Sequence, residues 1–404
     1  MKMGSKENGM DLWMKKIAWV SFLILDIHLH KESRIQILRF LAKRGHEVSL
    51  LAVYSKKRFR PETADVHVIS VPLKYLPLIS NVVFVLSLLF FFPFFVLHLR
   101  PDFVVTEPRD GTVFGLMSTF LFPSSVRPKI VLDIRSTPVE AVGLRGYMTT
   151  LCFNTSIRIA KRLFDGITII TPLMKKEICE KFHINSEFVG VWTSGVSTTF
   201  FKPEKYVQKG IELRKRIGLD DKFVILYHGS LSFHRGLIES INSIELLKGK
   251  FQNVVLFLLG SGPALPSIKK LIQEKKLQDK VIIHAPVNHT DVPKYIALCD
   301  VGIVPLPDLP DWRHQCPLNL LEYLAMSKVV IATNIPANRQ VIGKSRCGIY
   351  ISSADPVEIA ETIMYAYDNK DELEEWGSYG RIIVKEKYSW KKVAKDFENY
   401  LLEH

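Results

Sequence analysis

"HQCPLNLLEYLAMSKVVIA", His314 to Ala332, places two elements end to end with almost nothing between them. Pro317 suits the first position of a helix, where its missing N–H costs nothing and its φ is already set. From there Leu320, Leu321, Leu324 and Ala325 recur at helical spacing, so the segment to about Met326 reads as a helix with one apolar stripe. The run "VVIAT" (329–333) is β-branched and apolar on both faces, the pattern of a buried parallel strand. A helix feeding such a strand is half of a βαβ unit. Glu322 interrupts the apolar helix and shares a face with Asn319, three residues earlier.

The pattern repeats along the chain. Candidate strands in the first half are "KIAWVSFLI" (16–24), "HEVSLLAVY" (46–54), "VHVISVP" (66–72), "DFVVTE" (102–107), "KIVLDIR" (129–135), "GITIITP" (166–172) and "FVGVWTSG" (188–195). The second half offers "FVILYHGS" (223–230), "VVLFLLGSG" (254–262), "KVIIHAP" (280–286), "VGIVPLP" (301–307), "VVIAT" and "CGIYIS" (347–352). Helical periodicity fills the gaps, as in "RGLIESINSIELLKGK" (235–250) and "PVEIAETIMYAYDN" (356–369). Two series of this kind predict two Rossmann-like α/β domains with parallel sheets covered on both sides, and a chain of 404 residues exceeds what one core usually supports. The polar stretch "KPEKYVQKGIELRKRIGLDDK" (202–222) reads as the linker between a domain at 1–201 and one at 223–388. Residues 389–404, "SWKKVAKDFENYLLEH", form a closing amphipathic helix with Ser389 as its N-cap candidate.

Composition sets the class. At 47% hydrophobic and 24% charged residues, the chain is globular, and disordered and fibrous classes are excluded. The net charge of +13 is uneven: residues 1–60 hold thirteen Lys/Arg against five Asp/Glu, a surplus of +8. That surplus predicts an anionic partner for the N-terminal part, either a phospholipid surface or a phosphate-bearing substrate, beside the plainer reading of a solvated basic face. Nucleic acid is not expected, since no interleaved aromatic and basic motif accompanies the charge. Five scattered cysteines without ligand or redox spacing point to a reducing, cytoplasmic setting. The opening "KIAWVSFLIL" runs straight into patterned structure without a small-residue cleavage site and reads as a first strand, not a signal peptide.

One segment breaks the alternation. "VVFVLSLLFFFPFFVLHL", 82–99, carries no formal charge and is long enough to span a bilayer. It lies between two strands of one sheet, where a crossover helix is required, and Pro93 would kink it. Three readings stay open: a helix on or dipping into a membrane surface, a deeply buried crossover, and a true span.

In open parallel sheets ligands bind beyond the carboxyl ends of the strands. The second half supplies "YHGSLSFHRG", "GSGP" and "PLPDLPDWRHQCP" at such ends. Gly260 and Gly262 begin like a dinucleotide fingerprint, but Leu265 fills the third glycine position and the next strand lacks the ribose-binding carboxylate. A loop that lets a ligand approach the backbone, or a plain tight turn, fits them better. Arg235 opens a helix beside Gly236, a place that suits phosphate. The N–H groups of Leu318 and Asn319 are expected to face the same cleft, where Glu322 can accept hydrogen bonds from a ribose diol. A structural glutamate is the alternative.

In order and spacing these segments resemble a GT-B retaining glycosyltransferase of the family-4 type, the group 1 glycosyl transferases. The likeness rests on "AKRGHEVSLLA", "RPDFVVTE", "DIRSTPVE", "WTSGVSTTFFKP", "YHGSLSFHRG", "LLGSGP", "YIALCDVGIVPLP", "CPLNLLEYLAMSKVVIA" and "YSWKKVAKDF", and covers nearly the whole chain. It implies two Rossmann-like domains facing each other across a cleft, with the closing helix crossing back to the N-terminal one. It also implies an N-terminal acceptor domain and a C-terminal nucleotide-sugar domain. In that scheme Glu322 binds the donor ribose and Arg235 neutralises the pyrophosphate. Gly229, Ser230, Gly260, Gly262, Leu318 and Asn319 line the donor site, and Arg135 and His314 stand by the transferred sugar.

The departures are specific. His314 replaces the first Glu of the family's Glu–seven–Glu motif, Ser230 replaces an Arg, Asn319 replaces a Lys, and Ser136 replaces an Asp. The N-terminal glycine pair is absent; "DIHLHKES", with Lys31 and beyond it Arg34, takes its place. With no D-x-D pair in the sequence, no metal is expected, and no cofactor. The expected activity is a metal-independent hexosyl transfer from a nucleotide-sugar to a lipid-linked or other membrane-proximal glycan acceptor, on the inner face of the cell membrane. A nucleotide-sugar 2-epimerase of the same fold and a catalytically inactive donor-binding relative or partner subunit are the rivals.

Overall fold

The computed structural model describes residues 14–24, 31–53, 66–71, 79–138, 143–249 and 251–403. Two compact units divide between Thr193 and Ser194, and the chain rejoins the first unit at Val393. In the first unit β1 (Lys16–Ile24), α1 (Lys31–Lys43), β2 (Glu47–Val53) and β3 (Val66–Val71) come first, then α2 (Ile79–Leu99) and β4 (Phe103–Thr106). There follow α3 (Asp110–Leu121), β5 (Lys129–Ile134), α4 (Gly143–Leu163), β6 (Gly166–Ile169), α5 (Pro172–Phe182) and β7 (Val189–Val191). Among the described residues these strands make one seven-stranded parallel sheet, ordered β3-β2-β1-β4-β5-β6-β7.

The second unit opens with α6 (Val207–Arg216), β8 (Phe223–Ser230), α7 (Leu237–Leu247), β9 (Val254–Ser261), α8 (Leu265–Glu274), β10 (Val281–His284), α9 (Val292–Leu298) and β11 (Val301–Val304). It continues through α10 (Pro310–Arg313), α11 (Leu318–Ala325), β12 (Val329–Thr333), α12 (Pro336–Ile342), β13 (Gly348–Ile351), α13 (Pro356–Asp368) and α14 (Leu373–Ile383), and the chain closes with α15 (Trp390–Glu403). Its six strands are parallel in the order β10-β9-β8-β11-β12-β13. Each apolar run read as a strand contains one. Strand β11 ends where Pro305 withdraws a ladder donor.

Residues 202–222 are not a bare connector. They carry α6, whose only buried positions are Gly210 and Leu213, so its hydropathy signal is faint. Gly210 sits so close to α9 that a Cβ there would lie 2.8 Å from the carbonyl carbon of Ala297. The helix is thus docked in the second unit, which begins before the linker the sequence suggested.

From Val393 onward α15 packs on the first unit. Phe397 lies 5.4 Å from the ring of Trp19 and 5.3 Å from that of Trp192. The Tyr400 hydroxyl accepts from the Ile167 N–H at 3.0 Å and donates to the Phe188 carbonyl at 2.8 Å. Glu398, 2% exposed, accepts from Arg44 Nε at 2.8 Å and lies 2.8 Å from His46 Nε2. Burial alone would raise its pKa, but the hydrogen bonds from His46 and Arg44 outweigh it and hold the carboxyl below its usual range. A depressed folded-state pKa contributes stability above the unfolded-state value, and that stability is lost as pH falls through the folded one. Glu398→Ala leaves two partnerless donors and is expected to cost about 3 kcal/mol of stability, read by urea unfolding on tryptophan fluorescence. A loss that stays the same at acid and neutral pH would refute the ionic account.

Helix α2 is the crossover between β3 and β4, and Phe92 and Val96 are buried in a cluster with Ala18, Val20, Val104 and Phe114. Its outer stripe, including Phe90, Phe94 and Leu97, is exposed. Among the described residues no helix is long and apolar enough to cross a membrane. Side chains are described in α2 for Leu86 and residues 89–99.

Candidate functional site

In the second sheet the strand order reverses between β8 and β11, which marks the place where ligands bind in such folds. Gly229 and Ser230 end β8 and pair in register with Gly260 and Ser261 of β9. A Cβ on Gly260 would come 1.9 Å from the Gly229 carbonyl oxygen, and one on Gly262 2.3 Å from that of Leu231. These glycines therefore let two backbones touch, a sufficient reason for them without any ligand.

Arg235 ends a one-turn 3-10 segment, Phe233–Arg235, just ahead of α7. The turn can form because Gly236 has φ +69; a Cβ there would lie 1.9 Å from the Pro305 carbonyl oxygen. The guanidinium stacks 4.8 Å from the centre of the Trp312 ring, and its Nε donates to Ser232 Oγ at 3.2 Å. Trp312 belongs to α10, in the loop that follows β11, so one residue from each side of the switch point fixes this cation. No side chain caps α7, and Gly236 is its N-cap, so the positive end of the helix adds to the guanidinium.

Helix α11 begins at Leu318 with Pro317 as N-cap and no side-chain cap, one residue later than its sequence suggests. Leu320, Leu321, Leu324 and Ala325 are buried as expected. Glu322, with its side chain 12% exposed, sits between two imidazoles: Oε1 is 3.1 Å from His289 Nε2 and Oε2 is 3.4 Å from His228 Nε2. Asn319 reaches the same neighbour, donating from Nδ2 to the His228 carbonyl at 3.4 Å, while its Oδ1 accepts from the Leu320 N–H. Burial holds His228 below the usual histidine pKa, against the pull of Glu322, and so favours the neutral ring. His289 is steadied by Phe200, stacked at 5.5 Å, and by Phe201, edge-on at 5.5 Å. Below them the buried Tyr323 donates to the Leu226 carbonyl and accepts from the His228 N–H, tying α11 to β8.

The structure thus brings Gly229, Ser230, Gly260, Gly262, Arg235, Leu318, Asn319 and Glu322 to one end of one sheet. His314 is buried at the carboxyl end of α10, two residues past Trp312. Sequence reasoning passed over His228, His289 and Trp312. His228 lies within a predicted strand, and the other two sit in loops at strand ends, the one signal that could have singled them out.

Arg135 belongs to the first unit, at the end of β5. Its guanidinium lies 3.4 Å from the centre of the Trp192 ring, and Nη1 donates to the Trp192 carbonyl at 2.6 Å. The indole N–H of Trp192 donates to Asp133 Oδ1 at 2.9 Å, and Thr168 donates to the same oxygen at 2.8 Å. Burial raises the Asp133 pKa despite the opposing charge of Arg135. Arg34, noted in the stretch that replaces the N-terminal glycine pair, is buried against Glu107 at 2.6 Å, while the side chain of Lys31 and residues 25–30 lie outside the described residues.

Residues 211–382 match the family described as "Glycosyl transferases group 1". An alpha-D-kanosaminyltransferase of Streptomyces kanamyceticus is 24% identical over 287 residues, covering 69% of this chain and 72% of that protein. A GDP-mannose-dependent alpha-(1-6)-phosphatidylinositol monomannoside mannosyltransferase of Mycobacterium tuberculosis is 22% identical over 248 residues, 60% of this chain and 64% of that protein. The solved structure of Anabaena Alr3699/HepE in complex with UDP and glucose superposes with a TM-score of 0.75 at 13% identity, covering 96% of this chain and 100% of that one.

Proposed function

We propose that this chain, whose residues 211–382 match the group 1 glycosyl transferases and whose fold is GT-B, performs retaining transfer of a sugar from a nucleotide-sugar to a lipid-linked or other membrane-proximal glycan acceptor. The observation that carries this reading is the pairing of a fixed cation with a recessed carboxylate at one switch point: Arg235 on Trp312, and Glu322 at the start of α11. A nucleoside diphosphate offers the matching groups, a pyrophosphate and a ribose diol. One relative is a GDP-mannose-dependent mannosyltransferase and one structural neighbour was solved with UDP and glucose, and both support a nucleotide-sugar donor. The phosphatidylinositol mannoside of one relative's name supports an acceptor held at a membrane.

Arg235 and the uncapped start of α7 meet the negative charge that develops as the nucleoside diphosphate departs. Glu322 accepts from the ribose hydroxyls, which replace or join His289 on its free lone pairs. The strand-end glycines and the amides of Leu318 and Asn319 leave room for phosphate oxygens. His314 is the candidate contact to the transferred sugar within the second unit. The sugar leaves and is attacked on the same face, so no carboxylate nucleophile is assigned.

A thermal-shift panel of nucleoside diphosphates and their sugars tests the donor. Stabilisation follows occupancy, so one base should raise the melting temperature and the others should not. No stabilisation by any of them would overturn the reading. Transfer itself is expected to survive chelation, because cations of the protein carry the leaving group. Activity abolished by chelator and restored by magnesium or manganese would defeat that assignment. A donor that binds and is converted without acceptor would instead indicate an epimerase, and binding without any conversion an inactive relative.

A further inference from the structure

The outer surface of a helical layer in a globular protein is ordinarily polar, and large contiguous apolar patches mark a contact with something else. In the first unit α2, α3 and α4 lie side by side on one face of the sheet and depart from that rule. On α2, Phe90 and Phe94 are 69% and 64% exposed, and they form a ring cluster with the exposed Phe91. Phe120 and Leu121 are exposed at the end of α3. On α4 the outward stripe starts with Leu144, Tyr147, Met148 and Leu151. The inward stripe of the same helix, Phe153, Ile157 and Ala160, is buried, so the helix is docked and its other face is left over.

The α4 stripe changes character along its length. Four residues after Leu151 comes the exposed Thr155, then the exposed Arg158 and Arg162 at the same helical spacing. With Lys161, Lys181 and His183 they line a shallow basin at the carboxyl ends of α4 and α5 whose lining has no carboxylate. Lys161 Nζ donates to the Phe182 carbonyl at 2.9 Å, which anchors one edge of the basin and leaves the two arginines outward.

We infer that the outer face of α2, α3 and α4 seats this protein on an anionic lipid bilayer, with the aromatic side chains in the interface and the Arg158–Arg162 basin on lipid phosphates. This deepens the membrane-proximal function proposed above by naming the surface. Charge complementarity selects the occupant: an apolar stripe that ends in unopposed cations suits a bilayer, which presents an apolar interior beneath anionic headgroups. A second copy of the chain would bring like charges together at the basin.

Sedimentation with phosphatidylcholine vesicles, with and without phosphatidylglycerol, tests this. The wild type should pellet with anionic vesicles and be only partly released by salt, since screening weakens the charged contribution and leaves the apolar one. Phe90→Ser with Phe94→Ser should weaken binding about tenfold or more on both vesicle types, because each phenyl inserted in the interface adds to affinity. Arg158→Glu with Arg162→Glu should lower binding to anionic vesicles to the level seen on neutral ones. All these positions are exposed, and circular dichroism confirms that each variant is folded. A wild type that stays in the supernatant, or variants that bind as it does, overturns the inference. So does a dimer that the Phe90/Phe94 variant turns into a monomer while vesicles pellet neither. The measurement uses no donor or acceptor, so its failure leaves the transferase reading standing, and a failed transfer assay leaves the vesicle result standing.

Discussion

Arg235→Ala is expected to lower kcat about a hundredfold, the usual cost of removing one preorganised group aimed at developing charge. The direction follows from when the charge appears. In the bound donor the pyrophosphate already carries negative charge, and cleavage of the glycosidic bond adds more on the departing oxygen, so the guanidinium gains most in the transition state. KM for the donor should therefore move less than kcat. Stacking on Trp312 and the Ser232 contact hold the cation in place before the donor arrives, and none of that ordering is repeated during the reaction. Arg235→Lys keeps the charge but lacks the planar fork, and should recover only part of the lost rate. Steady-state kinetics of the two variants decide the matter. An effect confined to KM would mean that Arg235 binds the donor and contributes nothing further.

Glu322→Gln should weaken nucleoside diphosphate binding at least about tenfold. Hydrogen bonds to a charged acceptor contribute about 1.5–3 kcal/mol each, and about 1.4 kcal/mol is a factor of ten. The substitution keeps the shape, removes the charge and turns one acceptor into a donor. Titration calorimetry with the diphosphate that the thermal-shift panel selects reads the affinity directly. The competing account is also concrete, because His228 and His289 already flank the carboxylate. If Glu322 served only those two rings, the Gln variant would melt at a lower temperature and bind as before. Unchanged affinity would remove the start of α11 from the donor site.

Legibility differed by element. Apolar β-branched runs announced their strands because a strand buried on both faces is mostly apolar, as in "VVLFLLGSG"; in "KIVLDIR" the buried exception, Asp133, is held by hydrogen bonds from Trp192 and Thr168. The helix at 318–325 was legible for the same reason, with its single Glu standing out against leucines. Helix α6 was not, since only Gly210 and Leu213 of its ten residues are buried and the rest resemble a linker. Gly260 and Gly262 were visible but ambiguous: a backbone that must approach a ligand and one that must approach β8 call for the same residue.

What the sequence by itself determined was the parallel α/β architecture in two series, and it singled out Arg235 and Glu322 as charged candidates near the strand ends. Local pattern suffices there, because burial and helix starts are written in neighbouring residues. Only the tertiary structure decided what each group touches. Trp312 lies far along the chain from Arg235 and His289 far from Glu322, and nothing in the intervening residues encodes either contact. The same holds for 82–99: sequence gives an apolar helix all round, while the fold decides that Phe92 and Val96 are buried and Phe90 and Phe94 are not. Which face of a uniformly apolar helix meets the core is set by where the sheet lies, and a sheet is assembled from strands distant in sequence.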